Sequence, residues 1–188
     1  MTDSTHHGQV EVAILAGGCF WCLDAVFRDV EGVVSVVSGY CGGHVDDPQY
    51  REVCEGGTGH AEAVRIEFDP GLVTYRDLLE IFFTIHDPTT LDRQGNDIGT
   101  QYRSAIFPTS QSQLHEALTM IEELGEHRVF PSAIVTRVEE PGVHFWPAED
   151  VHQDFFRHQP DQPYCQYVVA PKIAKFREKF AQRRKRRG

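Results

Sequence analysis

No apolar run in this sequence approaches the roughly 20 residues that a membrane-spanning helix needs, which argues against a membrane protein. Positive charge is scarce as well. Asp and Glu number 28 against 18 Lys and Arg, for a net charge of −10, and five of the basic residues stand together in "RRKRR" at 183 to 187. An acidic body offers no basic face for phosphate, so nucleic acid is not an expected partner. The cluster itself, 183–188, reads as a solvated, flexible basic tail. Residues 1–9, "MTDSTHHGQ", lack the basic and apolar regions of a secretory signal, so a flexible N-terminus and a cytoplasmic, reducing location are expected. Cysteines are few and odd in number, five, which argues against a simple disulfide framework and points to free or redox-cycling thiols. The remaining 10–182 is long enough for one domain with a real hydrophobic core, and no second block of comparable size follows it.

Within that domain, periodicity divides the chain into alternating strands and helices. "VEVAILA" at 10–16 reads as a strand broken by Gly17 and Gly18, after which Phe20, Leu23, Val26, Phe27 and Val30 recur at helical spacing. A second strand is expected at 33–40, a Gly-rich loop from Cys41 to Gly59, and a third strand, "AEAVRIEF", at 61–68. Thr74 with Asp77 resembles a capping box, and Tyr75, Leu78, Leu79, Phe82 and Ile85 supply the stripe of a helix that ends before Pro88. A long polar loop, 87–101, leads to a strand at 102–107. Another helix opens at Ser110 and stops at Gly125, and a further strand at 133–138 and a last helix at 171–182 complete the order. The pattern predicts an α+β or α/β fold around one sheet, with no internal repeat.

The chemistry centres on "LAGGCFWCLDAVF", 15–27, where Cys19 falls at the start of the first helix. Unpaired N–H groups and partial positive charge at a helix N-terminus favour a thiolate. Asp24, one turn on, opposes this if it is close, so spacing leaves the net sign open. In the third strand Glu62 shares a face with Val64, Ile66 and Phe68, whereas Arg65 and Glu67 point the other way. Desolvation on an apolar face raises a carboxyl pKa and keeps the acid able to donate a proton near neutrality. Tyr50 and Tyr102, in or beside the two loops, can hold an oxygen by hydrogen bonds, while Phe20 and Trp21 can wall off an apolar group. The set suits a small substrate with an oxygen at one end and a methyl at the other.

Six stretches, in order, carry a resemblance: "GGCFWC" (17–22), "YREVC" (50–54), "GTGHAEAV" (57–64), "HDPTTLDRQGNDIGTQYRSAIF" (86–107), "PAEDVHQDFF" (147–156) and "DQPYCQ" (161–166). Together they resemble the peptide methionine sulfoxide reductase A family, specific for the S epimer, over about residues 10–182. The resemblance implies a single α+β domain, a two-layer sandwich with a β-α-β-β-α-β core and additional coil. It implies that Cys19 is the nucleophile, Phe20 and Trp21 the methyl pocket, Glu62 the proton donor, and Tyr50, Tyr102 and Asp97 its polar neighbours. Cys19 would become a sulfenic acid that a resolving thiol turns into a disulfide. Cys165 resembles the resolving position of many members, and Cys22, in Cys-x-x-Cys with Cys19, could replace it or relay from it. Asp24 stands where members usually have Glu. No bound cofactor or metal is implied; thioredoxin is the external reductant, oxidised proteins and free methionine sulfoxide are the substrates, and a monomer is expected.

Three other readings fit parts of the same sequence. Cys19-x-x-Cys22 after a strand suits a thioredoxin-type dithiol oxidoreductase, although no proline identifiable as facing the cysteines accompanies it. Five cysteines and ten histidines could build a zinc module, but the second closely spaced pair is missing, Cys41 and Cys54 having twelve residues between them. A Cys-His hydrolase would need His44, His60 or His86 as its base, and nothing marks any of them.

Overall fold

The computed structural model describes residues 9–185. Strands β1 (Glu11–Gly17), β2 (Val33–Cys41) and β3 (Ala61–Phe68) match the expected spans within a residue or so. Between them lie helix α1 (Phe20–Arg28) and the one-and-a-half-turn α2 (Tyr50–Cys54), a piece of regular structure inside the expected Gly-rich loop. Helix α3 (Tyr75–Ile85) starts at the Thr74 capping box, with the Thr74 hydroxyl accepting from the Asp77 amide. The long polar loop contains a small hairpin, β4 (Arg93–Gln94) with β5 (Asp97–Ile98), and a 3₁₀ turn at Thr100–Tyr102, which shortens the next strand to β6 (Ser104–Ile106). Helix α4 runs over Gln111–Glu126, so Gly125 lies inside it and does not end it. The strand expected at 133–138 reduces to β7 (Arg137–Val138), and β8 (Phe145–Pro147), the short α5 (Phe155–His158) and α6 (Ala170–Lys179) follow. A π-helical turn, Cys165–Val169, leads directly into α6.

Six strands form one mixed sheet in the order β7-β6-β1-β3-β2-β8. All neighbours are antiparallel except β6 and β7. Helices α1, α3, α4 and α6 cover one face. There Leu15, Val36, Val64, Ile66 and Phe68 meet Leu23, Phe27, Phe82 and Phe176, all buried. Each such large side chain contributes about 1.5–3 kcal/mol relative to exposure. On the opposite face the residues are small: Ala16, Ala61, Ala63 and Ala105 pack with Ile14 and Phe107 under Val143 and Phe145. The alternation of β3 puts Glu62 on the helix-covered face, among the large apolar side chains.

The segment 177–185 closes over the end of α1. Arg177 and Arg184 both pair with Asp29, Arg183 pairs with Asp77, and the Lys185 amide donates to the Asp29 carbonyl at 2.8 Å. Of the expected basic tail, residues 183–185 are therefore tied down. Residues 186–188, like most of the expected flexible N-terminus, 1–8, lie outside the described residues. Asp24 is buried and held by Arg28, Nε to Oδ1 at 2.7 Å and Nη2 to Oδ2 at 3.0 Å, with the Ser38 hydroxyl at 3.3 Å.

Candidate active site

Strand β1 delivers the chain to a turn in which Gly18 adopts φ +96°, a conformation that strains any residue with a Cβ. A Cβ there would also lie 2.6 Å from Cγ of Gln94, whose amide is fastened at both ends to the Asp87 backbone. The Gln94 side chain therefore cannot swing away. Gly18→Ala is expected to cost about 2–3 kcal/mol, lowering the melting temperature by roughly 5–10 °C. Thermal unfolding followed by circular dichroism checks this, and an unchanged midpoint would refute it. Cys19 is the N-cap of α1, and the amide of Phe20, in its first turn, points across to β3.

There it meets Glu62. The carboxylate accepts the Phe20 N–H at 2.9 Å and is almost wholly buried. Burial pushes its pKa up to about 8, with the negative charges of Asp97 and Cys22 adding to the rise and the Phe20 amide opposing it. Register places Tyr40 of β2 directly opposite Glu62, with its ring 5.8 Å from that of Phe20. Cys19 neighbours the same carboxyl and is 7% exposed. Its pKa stands well above the ordinary thiol value because it is buried, because it donates to Cys22 and because Glu62 faces it; the Trp21 amide pulls the other way. The activation expected from the helix terminus is outweighed by desolvation, so resting Cys19 is a thiol. Asp24 plays no part in this, its charge being engaged by Arg28 and Ser38.

Cys22 is affected in the opposite sense. The hydrogen bond from Cys19 lowers its pKa against the effect of burial, and Lys172 and Tyr164 act in the same direction. Cys165 is fully buried at the start of the π-helical turn, and burial followed by the charge of Cys22 raises its thiol. Cys22 thus interacts with both other cysteines. All five cysteines are free thiols; Cys41 is buried on the far face of the sheet and Cys54 is exposed at the end of α2.

Aromatic rings surround these groups. Trp21 stacks on Phe155 with centroids 3.8 Å apart and planes within 6°, Tyr164 meets it edge-on at 5.8 Å, and Phe20 stacks on Tyr50 at 6.3 Å. Burial raises the pKa of Tyr50 and of Tyr102, and Glu62 and Cys19 add to both. Both phenols stay protonated and able to donate. Asp97 accepts the Tyr164 hydroxyl at 2.5 Å.

Cys19, Phe20, Trp21, Cys22, Tyr50, Glu62, Asp97 and Tyr102 therefore converge, and the charge of Cys22 also acts on Cys165. Sequence reasoning gave no role to His152, Glu149, Phe155 or Tyr164. His152 lies 4.2 Å from the Tyr50 ring and 5.5 Å from that of Phe20, and its Nδ1 is buried without a partner. Glu149 accepts from the Tyr50 amide at 2.8 Å and the Tyr40 hydroxyl at 3.2 Å, and its Oε2 is 3.3 Å from His152 Nε2. Gln153 pairs with the Ser38 backbone through its amide, fixing this segment against β2. For Glu149, His152 and Phe155 the sequence signal was the density of aromatic, acidic and amide residues in "PAEDVHQDFF"; Tyr164 stood in "DQPYCQ". Among the described residues no three His, Cys, Asp or Glu form a group that could hold a metal, and no helix is long and apolar enough to cross a membrane.

A buried acid beside two communicating thiols is chemistry of the thiol-dependent oxidoreductases. Comparison with known proteins narrows the class. The model of the family described as Peptide methionine sulfoxide reductase matches residues 11–185. The protein named "Peptide methionine sulfoxide reductase MsrA" from Ralstonia nicotianae is 57% identical over 182 residues, 95% of each chain. The solved structure of Mxr1 from Saccharomyces cerevisiae in reduced form is similar at 34% identity and a TM-score of 0.75, over 84% of this chain and 90% of that one. Mxr1 in complex with Trx2 is similar at 26% identity and a TM-score of 0.53, over 81% and 91%. The chain belongs to the peptide methionine sulfoxide reductase A family, and it is an oxidoreductase that reduces methionine sulfoxide.

Proposed function

We propose that Cys19 attacks the sulfur of a methionine S-sulfoxide, free or in a protein, while Glu62 gives a proton to the sulfoxide oxygen. The observation that carries this reading is the Glu62 carboxyl, desolvated to a pKa of about 8 and aimed by β3 at the first turn of the helix that Cys19 caps. A sulfoxide oxygen leaves poorly unless protonated as its S–O bond weakens, and a carboxyl that stays neutral near pH 7 can supply the proton. Tyr50 and Tyr102 donate to the oxygen, Asp97 holds the polar wall through Tyr164, and Phe20 and Trp21 receive the methyl. As the Cys19–methionine S–S bond forms, the protonated oxygen departs with the electrons of the S–O bond as hydroxide. That hydroxide then adds to the Cys19 sulfur, methionine leaves with both electrons of the S–S bond, and Cys19, oxidised by two electrons, is left as a sulfenic acid.

A second thiol then attacks the Cys19 sulfur, forming an S–S bond and releasing water. Cys165 is the final partner in this reading, with Cys22 as the relay, because Cys22 alone interacts with both. Thioredoxin returns the dithiol through a mixed disulfide; Mxr1 forms a complex with Trx2, which supports that reductant here. β1, α1, β2, β3, α3 and β6 are the β-α-β-β-α-β core of this reading, and a monomer working in a reducing compartment such as the cytoplasm fits it. The test is to treat the reduced enzyme separately with S and R sulfoxide epimers and measure the masses of product and enzyme. The S epimer is expected to lose one oxygen as the enzyme becomes a disulfide, and the R epimer to remain unchanged. Equal consumption of both would end the proposal.

A further inference from the structure

Three segments carry most of the site residues outside β3 and α1: 46–55 with Tyr50, 92–102 with Asp97 and Tyr102, and 149–164 with Glu149, His152 and Tyr164, joined by the Tyr50–Glu149 and Tyr164–Asp97 hydrogen bonds. Together they hold ten Asp and Glu against three Arg, whereas the rest of the chain holds eighteen against fifteen Lys and Arg. Negative charge is thus denser in the segments that carry these site residues than in the rest of the chain. Within these segments Asp46, Asp47, Glu52, Glu55, Asp150 and Asp161 are exposed. The three arginines are each taken up locally: Arg51 by Glu55 at 3.2 Å, Arg157 by Asp154 at 3.6 Å, and Arg93 by the Gly95 carbonyl at 2.7 Å.

A second observation points to a polypeptide ligand at this rim. Ile98, Val151 and Tyr167 are 69%, 68% and 83% exposed, large apolar side chains left in water. Ile98 and Val151 stand next to the wall residues Asp97 and His152, and Tyr167 lies three positions beyond Tyr164. His152 adds a buried Nδ1 with no partner in the wall itself. Free methionine sulfoxide reaches the pocket without needing such a rim, whereas a chain entering it must cross both the acidic and the apolar residues.

We infer that this enzyme selects methionine sulfoxide in basic stretches of polypeptide, the acidic rim drawing in Lys and Arg on either side of the oxidised residue. The inference rests on the reductase reading above and assigns its preferred substrate class. A cleft lined by one sign of charge raises association rates by about 10- to 10³-fold, and the effect falls steeply with ionic strength. Three peptides, identical except for two Lys, two Gln or two Glu flanking one methionine S-sulfoxide, test it in single turnovers without thioredoxin, so that reductant docking plays no part. At about 0.01 M salt, where the Debye length is about 30 Å, kcat/KM for the Lys peptide is expected to exceed that for the Glu peptide by about 10-fold or more. At about 1 M salt, with a Debye length of about 3 Å, the values are expected to converge to within about 2-fold. Asp46→Asn combined with Asp150→Asn should narrow the low-salt ratio and leave the Gln peptide unchanged. Equal rates at low salt, or a ratio insensitive to salt and to the double variant, would overturn the inference while leaving the reductase reading intact. No product from any peptide would overturn both.

Discussion

Glu62→Gln is expected to lower kcat/KM for methionine S-sulfoxide by about 10²- to 10⁴-fold, the range a positioned general acid contributes. The substitution keeps size and burial, and the Gln carbonyl can still accept the Phe20 N–H that Glu62 takes at 2.9 Å. Only the transferable proton disappears. The pH profile separates this from simple damage. Cys19 and Glu62 face each other, so they titrate as a pair, and the productive form, thiolate with neutral acid, carries one proton between them. Glu62 is pushed up to about 8 and Cys19 lies above the ordinary thiol value. Wild-type kcat/KM should therefore rise through about pH 8 as the first proton leaves and decline at higher pH as the second does. In Glu62→Gln only the rise governed by Cys19 should remain. Unchanged single-turnover sulfenic acid formation in the variant would remove Glu62 from the role.

Stability gives an independent reading of the same carboxyl. Its folded pKa is raised, so between the ordinary carboxyl value and about 8 the native state binds more protons than the unfolded chain. Stability from this residue is therefore lost as pH rises through that window. Glu62→Gln should flatten that decline in denaturant unfolding measured across pH 5 to about 9. The loss of rate and the gain in alkaline stability share one cause, a carboxyl held in an environment that disfavours its charge.

The sulfur substitutions should give the largest loss of all. Cys19→Ser is expected to abolish reduction, since a hydroxyl near neutral pH provides essentially no anion to attack sulfur and cannot carry the oxygen away as a sulfenic acid. Cys22→Ser and Cys165→Ser should leave the first turnover nearly intact, with one equivalent of methionine released per enzyme. With thioredoxin present, both should turn over far more slowly. Peptide mapping distinguishes their positions in the route: Cys165→Ser should stop at a Cys19–Cys22 disulfide, whereas Cys22→Ser should accumulate sulfenic acid at Cys19. Wild-type enzyme oxidised by one equivalent of substrate should carry its disulfide on Cys165. A Cys19–Cys22 linkage as the sole wild-type product would exclude Cys165 as the final partner.

Much of this was legible in the residues alone. Alternation along "AEAVRIEF" places Glu62 with Val64 and Ile66 because successive side chains of a strand point to opposite faces, whatever the strand pairs with. Two glycines before Cys19 force a turn, so its place at the start of a helix follows from local sterics. Other features depended on partners distant in sequence. Glu149 grips Tyr50 across 99 positions and Tyr164 reaches Asp97 across 67, contacts that no spacing rule encodes. The helix within the 41–59 loop and the hairpin within 87–101 are short elements held in place by the rest of the fold, below the length at which periodicity can signal them.

The sequence by itself determined which face of β3 carries its acid, where the first helix begins and which thiol stands at that beginning, because sterics and alternation act over a few residues. Only the tertiary structure decided the protonation of Cys19. The helix terminus favours the thiolate locally, but desolvation by packed neighbours from the rest of the chain outweighs it, and burial is a property of the assembled fold. The same holds for Cys22, which acts on Cys165 because α1 packs against the π-helical turn of a segment more than 140 residues away.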